Sequence, residues 1–231
     1  MRLDKFISNC GYASRKEVKK LIKQKAVSVD GAIAKSHDMN ISDDAQVTVN
    51  GAVLSYREFV YLMLNKPSGY VSATEDKKYP VVTDLVSGEY AHFDVFPVGR
   101  LDIDTEGLLI LTNDGKLAHE LTSPKKDVYK KYFAVLDKPA QRSDIEEFAK
   151  GMEFKDFTAK PAIMEISENP REVYIQISEG KFHQVKRMCE RIGKSVVYLK
   201  RVSIGKLVLD EALELGEIRE LTDDELKLLK A

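Results

Sequence analysis

Hydrophobic positions near the start of the chain recur at helical spacing. Val18, Leu21 and Ile22 follow the i, i+3, i+4 rule, which places them on one face of a helix. Ser14 and Glu17 stand three residues apart just before this run, a spacing typical of a capping box in which each side chain binds a free backbone amide. The pattern predicts a helix from Ser14 to about residue 25, with its basic residues on the other faces.

Short apolar runs follow this helix. The pair Asp30-Gly31 separates two such runs, which is typical of a tight hairpin. A further apolar segment at about 46–53 completes a small α+β unit. We therefore expect one domain at 1–58 and a second, larger domain at 59–231.

The larger domain is predicted to be rich in strands. From residue 61 onward, runs of β-branched and aromatic residues alternate with turns, as is typical of strands. The predicted strands are YLMLNKP, LLILT, YFAVL, VYIQIS and RVSIGKLVL. Because only isolated helices interrupt them, without regular βαβ alternation, the pattern favours an α+β fold with a mixed, mainly antiparallel sheet flanked by helices.

Two helices are predicted among these strands. Ser143 and Glu146 have capping-box spacing and begin a helix that ends at Gly151. The second helix runs from about residue 182 to residue 192. Three residues of this segment are expected in the core: Phe182, Met188 and Cys189.

Charge is arranged in blocks, although the formal net charge is only -1. Residues 1–35 hold nine Lys or Arg against three acids, and residues 181–201 hold seven against one, whereas 210–231 hold eight acids against three bases. Two separate basic segments suit a polyanion, because each cation placed on a phosphate releases a condensed counterion. Solvated helix faces would give the same composition, so for either block alone both interpretations stay open.

Cysteine use and hydropathy bear on the compartment. Cys10 and Cys189 lie far apart in unlike contexts, which indicates no disulfide framework and favours a reducing compartment. The segment MRLDKFISN has no apolar region typical of a secretory leader, and no stretch approaches the roughly 18 consecutive apolar residues of a membrane span. We expect a cytoplasmic protein with no membrane partner.

The densest polar stretch is GRLDIDTEGLLILTNDG at 99–115, where a carboxylate-rich loop runs into an apolar strand. Asp102, Asp104 and Glu106 match positions 1, 3 and 5 of a calcium loop, but position 12 is an asparagine, which lacks the bidentate carboxylate required there. Asp104 is better explained as a turn former. His183 has no companion at metal-ligand spacing and is expected to be structural, so no metal site is predicted.

Asp102 differs from the other acids of this loop because Arg100 lies two residues before it. Along an extended segment the two side chains point the same way, so Arg100 is expected to hold and orient the carboxylate. Asp102 is therefore the acid of this loop for which a role beyond a turn is expected.

GRLD followed by DTEGLLILTNDG resembles the signature of the pseudouridine synthases of the RsuA and RluA groups. The similarity continues through LNKPSGYVSAT, LAHELTSP, YKKYFAVL and ISEGKFHQVKRM, so it covers nearly the whole chain. YKKY departs from the more usual KTY. The N-terminal part, with MRLDKFI, Ser14-Arg15 and KAVSVDG, resembles the S-four RNA-binding domain, which also accompanies the RsuA subgroup.

The resemblance implies an isomerase that converts a uridine of ribosomal RNA to pseudouridine. Asp102 matches the aspartate that is essential in this family. Tyr132 stands at the position of its active-site tyrosine, which is expected to stack on the target base. Lys186 matches the basic residue that pairs with the aspartate, so Asp102, Arg100 and Lys186 are expected to form one buried cluster. The reaction oxidises and adds nothing, and we therefore expect no cofactor.

The resemblance favours a monomeric enzyme acting on one uridine of small-subunit (16S) RNA, free or in an assembly intermediate. The target base must leave its stack to enter a pocket, while basic side chains hold the flanking phosphates. Residues expected to bind RNA are Arg2, Arg15, Lys16, Lys19, Lys20, Lys23, Lys125, Lys130, Lys181 and Arg187. Two alternatives stay open: a synthase for large-subunit RNA, and a non-catalytic RNA-binding protein.

Overall fold

The chain folds into two compact units in the computed structural model, which describes residues 1–42, 44–123 and 126–230. The first unit contains Met1–Val60 and Val86–Asp94, and the second contains Tyr61–Leu85 and Val95–Ala231. The segment 86–94 thus returns to the first unit after the chain has entered the second.

The helices of the described residues are α1 (Leu3–Asn9), α2 (Arg15–Lys23), α3 (Gly115–Thr122), α4 (Arg142–Lys150), α5 (Gln184–Arg191) and α6 (Asp223–Lys230). The strands are β1 (Val27–Val29), β2 (Ala32–Ile33), β3 (Val47–Val49), β4 (Ala52–Val53), β5 (Tyr61–Lys66), β6 (Phe96–Pro97), β7 (Glu106–Thr112), β8 (Lys130–Leu136), β9 (Met152–Glu153), β10 (Thr158–Ala159), β11 (Ile163–Ile166), β12 (Glu172–Ile177), β13 (Val196–Ile204), β14 (Leu207–Val208) and β15 (Ile218–Glu220).

Helix α2 confirms the prediction made from its pattern and cap. The backbone N–H of Ser14 donates to the Glu17 carboxylate at 2.8 Å, and the Ser14 hydroxyl accepts from the N–H of Glu17 at 3.4 Å. Val18 is fully buried, and Leu21 and Ile22 pack against the same core. The helix ends at Lys23, two residues earlier than expected.

The first unit carries an antiparallel sheet of strand order β2-β1-β3-β4. Asp30 and Gly31 both have positive φ, 50° and 81°, as the favoured two-residue hairpin turn requires, so the predicted hairpin is confirmed. The segment 46–53 forms a hairpin of its own rather than a single strand. Helix α1 was not predicted, and its apolar face supplies Leu3, Phe6 and Ile7 to the core.

The second unit is built on one large sheet of strand order β11-β12-β8-β13-β7-β5-β15, to which β6 and β14 add beside β7 and β13. Strands β13 and β7 are parallel, and the other pairs of this sheet are antiparallel. The α+β prediction with a mixed, mainly antiparallel sheet is therefore confirmed. RVSIGKLVL is not one strand, because it turns between Ile204 and Leu207 to form β14.

The start of α4 differs from its prediction. The Asp144 carboxylate accepts from the backbone N–H of Gln141 at 2.7 Å, so this pair caps the helix and the predicted cap at Ser143 is wrong. The predicted end is confirmed, since Gly151 follows the last helical residue. Helices α3 and α6 were not predicted.

Strand β7 explains how the sheet positions the carboxylate-rich loop. Leu108, Leu109, Ile110 and Leu111 are all fully buried, as expected for a central strand covered on both faces. Residues of α3 and α6 pack on one of these faces. The loop that leads into β7 is therefore attached to a fully buried strand of the second unit.

None of the helices in the described ranges combines the length and the apolar character that a membrane span requires. Cys10 and Cys189 are both free thiols.

Candidate active site

Asp102 lies in the loop before β7, and buried polar groups hold this loop in place. The ammonium of Lys66, which is fully buried, donates to the carbonyl oxygens of Asp102 at 3.2 Å and Thr105 at 2.9 Å. The Ser72 hydroxyl bonds both the N–H and the C=O of Leu101, at 3.0 and 2.9 Å. Burial lowers the pKa of Lys66 to about 8. The segment LNKPSGYVSAT, which contains Lys66 and Ser72, thus holds the backbone of the Asp102 loop in place.

Lys186 of α5 meets the Asp102 carboxylate. Its ammonium lies 3.1 Å from Asp102 Oδ2 and 2.6 Å from Asp104 Oδ1. Burial acts to lower the pKa of Lys186, but the two carboxylates outweigh it and raise that pKa above its ordinary value. The lysine occupies the place between the two acids where a calcium ion would have to bind. The third acid, Glu106, accepts from the Tyr198 hydroxyl at 2.7 Å. The calcium interpretation is therefore unfavourable.

Arg100 does not join this cluster. It is exposed, and the structure gives it no ion pair with Asp102 in the described ranges. The expectation rested on an extended backbone, but Gly99 has φ of +74° and a turn begins at Asp102, whose carbonyl accepts from Thr105 N–H at 3.1 Å. The expectation that Arg100 orients the carboxylate and joins the cluster is therefore wrong. The expected pairing of Asp102 with Lys186 is formed, and it is partly buried, with the Asp102 side chain 27% exposed.

His183, which the sequence analysis expected to be structural, lies beside the Asp102 carboxylate. Its Nε2 lies 3.6 Å from Asp102 Oδ1, and its backbone is left-handed, with φ of 50°, immediately before α5. Phe182 stacks on the His183 ring at 3.8 Å between centroids and is 68% exposed, so its expected place in the core is wrong. Because α5 begins two residues later than predicted, Phe182 lies outside it. Met188 and Cys189 are fully buried, as expected.

Asp102 and Tyr132 line one cavity of about 610 Å³. Tyr132, on β8, is 8% exposed. Arg100, Lys181 and Phe182 line the same cavity and are exposed to solvent. The volume lies within the range of small-molecule sites and suits a single nucleotide rather than a duplex. The elements that build this cavity all belong to the second unit.

Two further cations line the cavity, Lys130 and Arg201. Lys130, expected on the RNA-binding surface, is half-buried, and burial followed by the charge of Arg201 lowers its pKa to about 8. Arg201 is 3% exposed and lies opposite Tyr132 in the pairing of β13 with β8. Sequence reasoning counted Arg201 only as part of a basic block.

The other predicted RNA-binding residues divide into two groups. Those exposed to solvent are Arg15, Lys16, Lys19, Lys20 and Lys23 of α2, and Lys181. Arg2 is exposed as well, but its guanidinium is paired with Asp4 at 2.7 Å. Lys125 lies outside the described residues.

Arg187 is also engaged within the protein. Both terminal nitrogens of its guanidinium donate to Asp156, at 2.9 and 2.5 Å, and the group lies over the rings of Phe154 and Phe157. Its place in the fold argues against the expected role in RNA binding, because its donors and charge are already matched.

Comparison with known proteins places this geometry in a family. Residues 60–191 match the model of the RNA pseudouridylate synthases, and residues 1–47 match the S4 domain. The chain belongs to the RNA pseudouridylate synthase family. Asp102, Tyr132 and Lys186 all lie inside the matched segment of this RNA pseudouridine synthase, whereas Arg201 lies beyond it.

Relatives of this synthase match it from end to end. An uncharacterized RNA pseudouridine synthase of Bacillus subtilis (strain 168), YtzG, is 51% identical over 234 residues, which cover 99% of this chain and 98% of the relative. The ribosomal small subunit pseudouridine synthase A of Escherichia coli (strain K12) is 40% identical over 230 residues, 98% of each chain. A crystal structure of a pseudouridylate synthase superposes with a TM-score of 0.70 at 40% identity and covers 99% of both chains.

Proposed function

We propose that this synthase isomerises one uridine of small-subunit (16S) ribosomal RNA, with Asp102 as its catalytic carboxylate. The observation that carries the proposal is the Asp102 side chain itself, which is partly buried, paired with Lys186 at 3.1 Å and set in a cavity that Tyr132 also lines. The choice of small-subunit RNA is supported by the 40% identity to a relative named for that subunit.

The reaction moves the bond at C1′ of the ribose from N1 to C5 of the uracil. A proton leaves C5 and N1 gains one, so nothing is oxidised or added. A carboxylate serves this reaction either by attacking the substrate or by stabilising positive charge on the sugar. Lys186 orients Asp102 for that task through their ion pair. Tyr132 offers its ring for stacking against the extruded base.

RNA binding is assigned to both units. The five exposed cations of α2 supply a basic helix face in the S4 domain, and Lys181 and Arg100 lie exposed beside the cavity. We assign Arg100 to the RNA backbone rather than to Asp102. Residues 1–58 then form the RNA-binding domain and 59–231 the catalytic domain of a monomer working in the cytoplasm, on free RNA or on an assembling subunit.

The test is tritium release from RNA labelled at C5 of uridine, with small-subunit and large-subunit transcripts as separate substrates. Release from the small-subunit transcript is expected. Release from the large-subunit transcript alone would overturn the substrate assignment. If neither transcript releases tritium, while both are bound, the protein is a binding protein rather than an enzyme.

Asp102→Asn tests the assignment of the carboxylate. Turnover should fall by on the order of 10⁴-fold or more, as when an essential catalytic group is removed, while RNA affinity stays the same. Asp104→Asn is the matched control, since it removes the neighbouring carboxylate that bonds the same lysine. Comparable losses in the two variants would show that the loop charge, rather than Asp102 itself, is what the reaction needs.

A further inference from the structure

Arg201 is a buried cation that lines the cavity, and one of its donors is unused. Its side chain is 3% exposed and its Nε donates to the Leu108 carbonyl at 2.8 Å. Its Nη2 is buried and has no hydrogen-bond partner among the residues that the structure describes. Nor does any carboxylate of those residues form an ion pair with it. Burying a cation with so few partners is unfavourable, so the arrangement points to a ligand that completes it.

The strand register places this cation beside the ring that receives the base. Arg201 pairs with Tyr132 across β13 and β8. Residues directly opposite each other in an antiparallel pair project from the same face of the sheet, with Cβ atoms about 5 Å apart. Both residues line the cavity, as Asp102 does. A base stacked on Tyr132 would therefore have the guanidinium at its edge.

The backbone at Arg201 is held by the strand that leaves the Asp102 loop. A Cβ at Gly107 would lie 2.2 Å from the carbonyl oxygen of Arg201 and 2.8 Å from its nitrogen, so β7 approaches β13 this closely only because residue 107 is glycine. The next residue, Leu108, supplies the carbonyl that binds Arg201 Nε. The same strand thus positions both Asp102 and Arg201.

The burial of Arg201 indicates which part of the substrate it contacts. An extruded nucleotide carries its base deepest into the protein and leaves its phosphates near the surface. At the surface of this cavity the exposed Arg100 and Lys181 are available for phosphate. Arg201, buried beside Tyr132, is placed instead for the base.

The base gains charge during the reaction. When the bond between N1 and C1′ breaks, its electron pair stays with the uracil and spreads onto O2 and O4, while the Asp102 carboxylate meets the positive charge left on the sugar. A donor fixed at such an oxygen stabilises the transition state more than the ground state. We propose that the guanidinium of Arg201 donates to a ring oxygen of the target uracil and stabilises the charge that the ring acquires. This inference rests on the isomerisation proposed above.

The experiment compares Arg201→Met with Lys200→Met. The control removes the same charge from the neighbouring residue of β13, which does not line the cavity. Single-turnover rates at saturating RNA, dissociation constants for the same RNA and thermal midpoints are measured for both. For Arg201→Met we expect the rate to fall by about 10² to 10³-fold, as when one oxyanion donor is lost, with the dissociation constant unchanged. The thermal midpoint should stay the same or rise, because an unmatched buried cation is gone.

Three outcomes would overturn the inference. A weaker dissociation constant with an unchanged rate would assign Arg201 to a phosphate. A thermal midpoint lowered by several degrees together with rate and affinity would make it structural. A single-turnover rate of Arg201→Met within threefold of that of the unmodified protein would show that Arg201 takes no part in the reaction. If Arg201→Met does not fold, Arg201→Lys replaces it, and a slow rate with unchanged affinity and midpoint is the supporting result. Failure of the unmodified protein on both RNAs would instead overturn the proposed function.

Discussion

Three lysines near the cavity show how burial and partners give one residue type different tasks. Lys66 is fully buried and its ammonium binds backbone carbonyls under the Asp102 loop. Lys186 is paired with two carboxylates, which raise its pKa against the effect of burial. Lys130 is half-buried, and its pKa falls to about 8. Of these, only Lys130 combines a pKa lowered to about 8 with a place on the cavity wall.

We predict that kcat/KM of the enzyme falls as pH rises through about 8, because Lys130 loses the proton that makes it a phosphate ligand. The profile of kcat/KM against pH, taken from 6.5 to 10, measures this. Lys130→Arg is the matched variant, since arginine keeps its charge over the whole range, and its profile should stay level. A fall that persists in Lys130→Arg would assign the titration to Lys66 instead.

Above pH 8, the free energy of unfolding should rise with pH, whereas kcat/KM is expected to fall. Folding lowers the pKa of Lys66 and Lys130 from 10.5 to about 8, so between these values the unfolded chain binds more protons than the folded protein. The contribution of these two lysines to the free energy of unfolding therefore rises with pH in this window. Loss of activity above pH 8 is thus expected without loss of fold, which thermal midpoints at each pH would show.

At the scale of elements, local signals were sufficient where one short segment determined the outcome. The cap and apolar face of α2 and the Asp30-Gly31 turn were predicted for this reason. Helices α1, α3 and α6 have only seven or eight residues, and no capping-box spacing was recognised before them, whereas such a spacing led to the prediction of α2 and α4. The start of α4 depended on a distant residue, because Asp144, which caps it, is also paired with the buried Lys194 at 2.7 Å.

The site residues also divide into those that the sequence could identify and those that it could not. Asp102, Tyr132 and Lys186 could be named because they lie in motifs that resemble a known family. Lys66 and Arg201 could not be assigned a task, because what distinguishes them is burial against carbonyl groups far away in sequence. The register of β13 against β8 and β7 decides that burial, and no short segment contains it.

The junction of β7 and β13 supplies a prediction at this scale. Gly107→Ala should destabilise the protein by roughly 3 kcal/mol or more, because the residue has φ of +99° and its new methyl group would meet the backbone of Arg201. Urea unfolding measures the loss. Gly193→Ala is the matched control: φ is +75° there, but no atom lies within 4 Å of the added carbon, so about 1–2 kcal/mol is expected. Equal losses would exclude the close approach of the two strands as the cause.

For the molecule as a whole, the net charge of -1 conceals how the charges are used. Several acids near the C-terminus are paired within the second unit, where Arg219 binds Asp210 and Glu225, each at 2.7 Å. The Arg219 guanidinium lowers the pKa of Glu225 to about 2. These carboxylates are used in ion pairs within the folded protein, whereas the cations of α2 project into solvent. The near-neutral total is therefore compatible with a strongly basic surface on the first unit.

This distribution of charge predicts that the cations of α2 affect RNA affinity but not the rate of turnover. A variant with glutamine at the five exposed cations of α2 should bind RNA more weakly and lose salt dependence, while the rate at saturating RNA stays unchanged. The substituted residues are Arg15, Lys16, Lys19, Lys20 and Lys23. Each side chain that lies on a phosphate contributes about 0.7 to 0.9 to the slope of log affinity against log salt. Glutamine keeps the helix, because its helix propensity is close to that of lysine.

Binding measured between 50 and 300 mM salt, about the range in which phosphate contacts change affinity most, gives this slope. Lys150→Gln with Lys227→Gln is the control, because these exposed lysines are already paired with Glu147 and Asp224. The control should leave the slope unchanged. A variant of α2 with an unchanged slope would remove that helix from the RNA interface. A variant that binds normally but turns over slowly would mean that the helix acts on catalysis rather than on capture, which its exposed charges give no reason to expect.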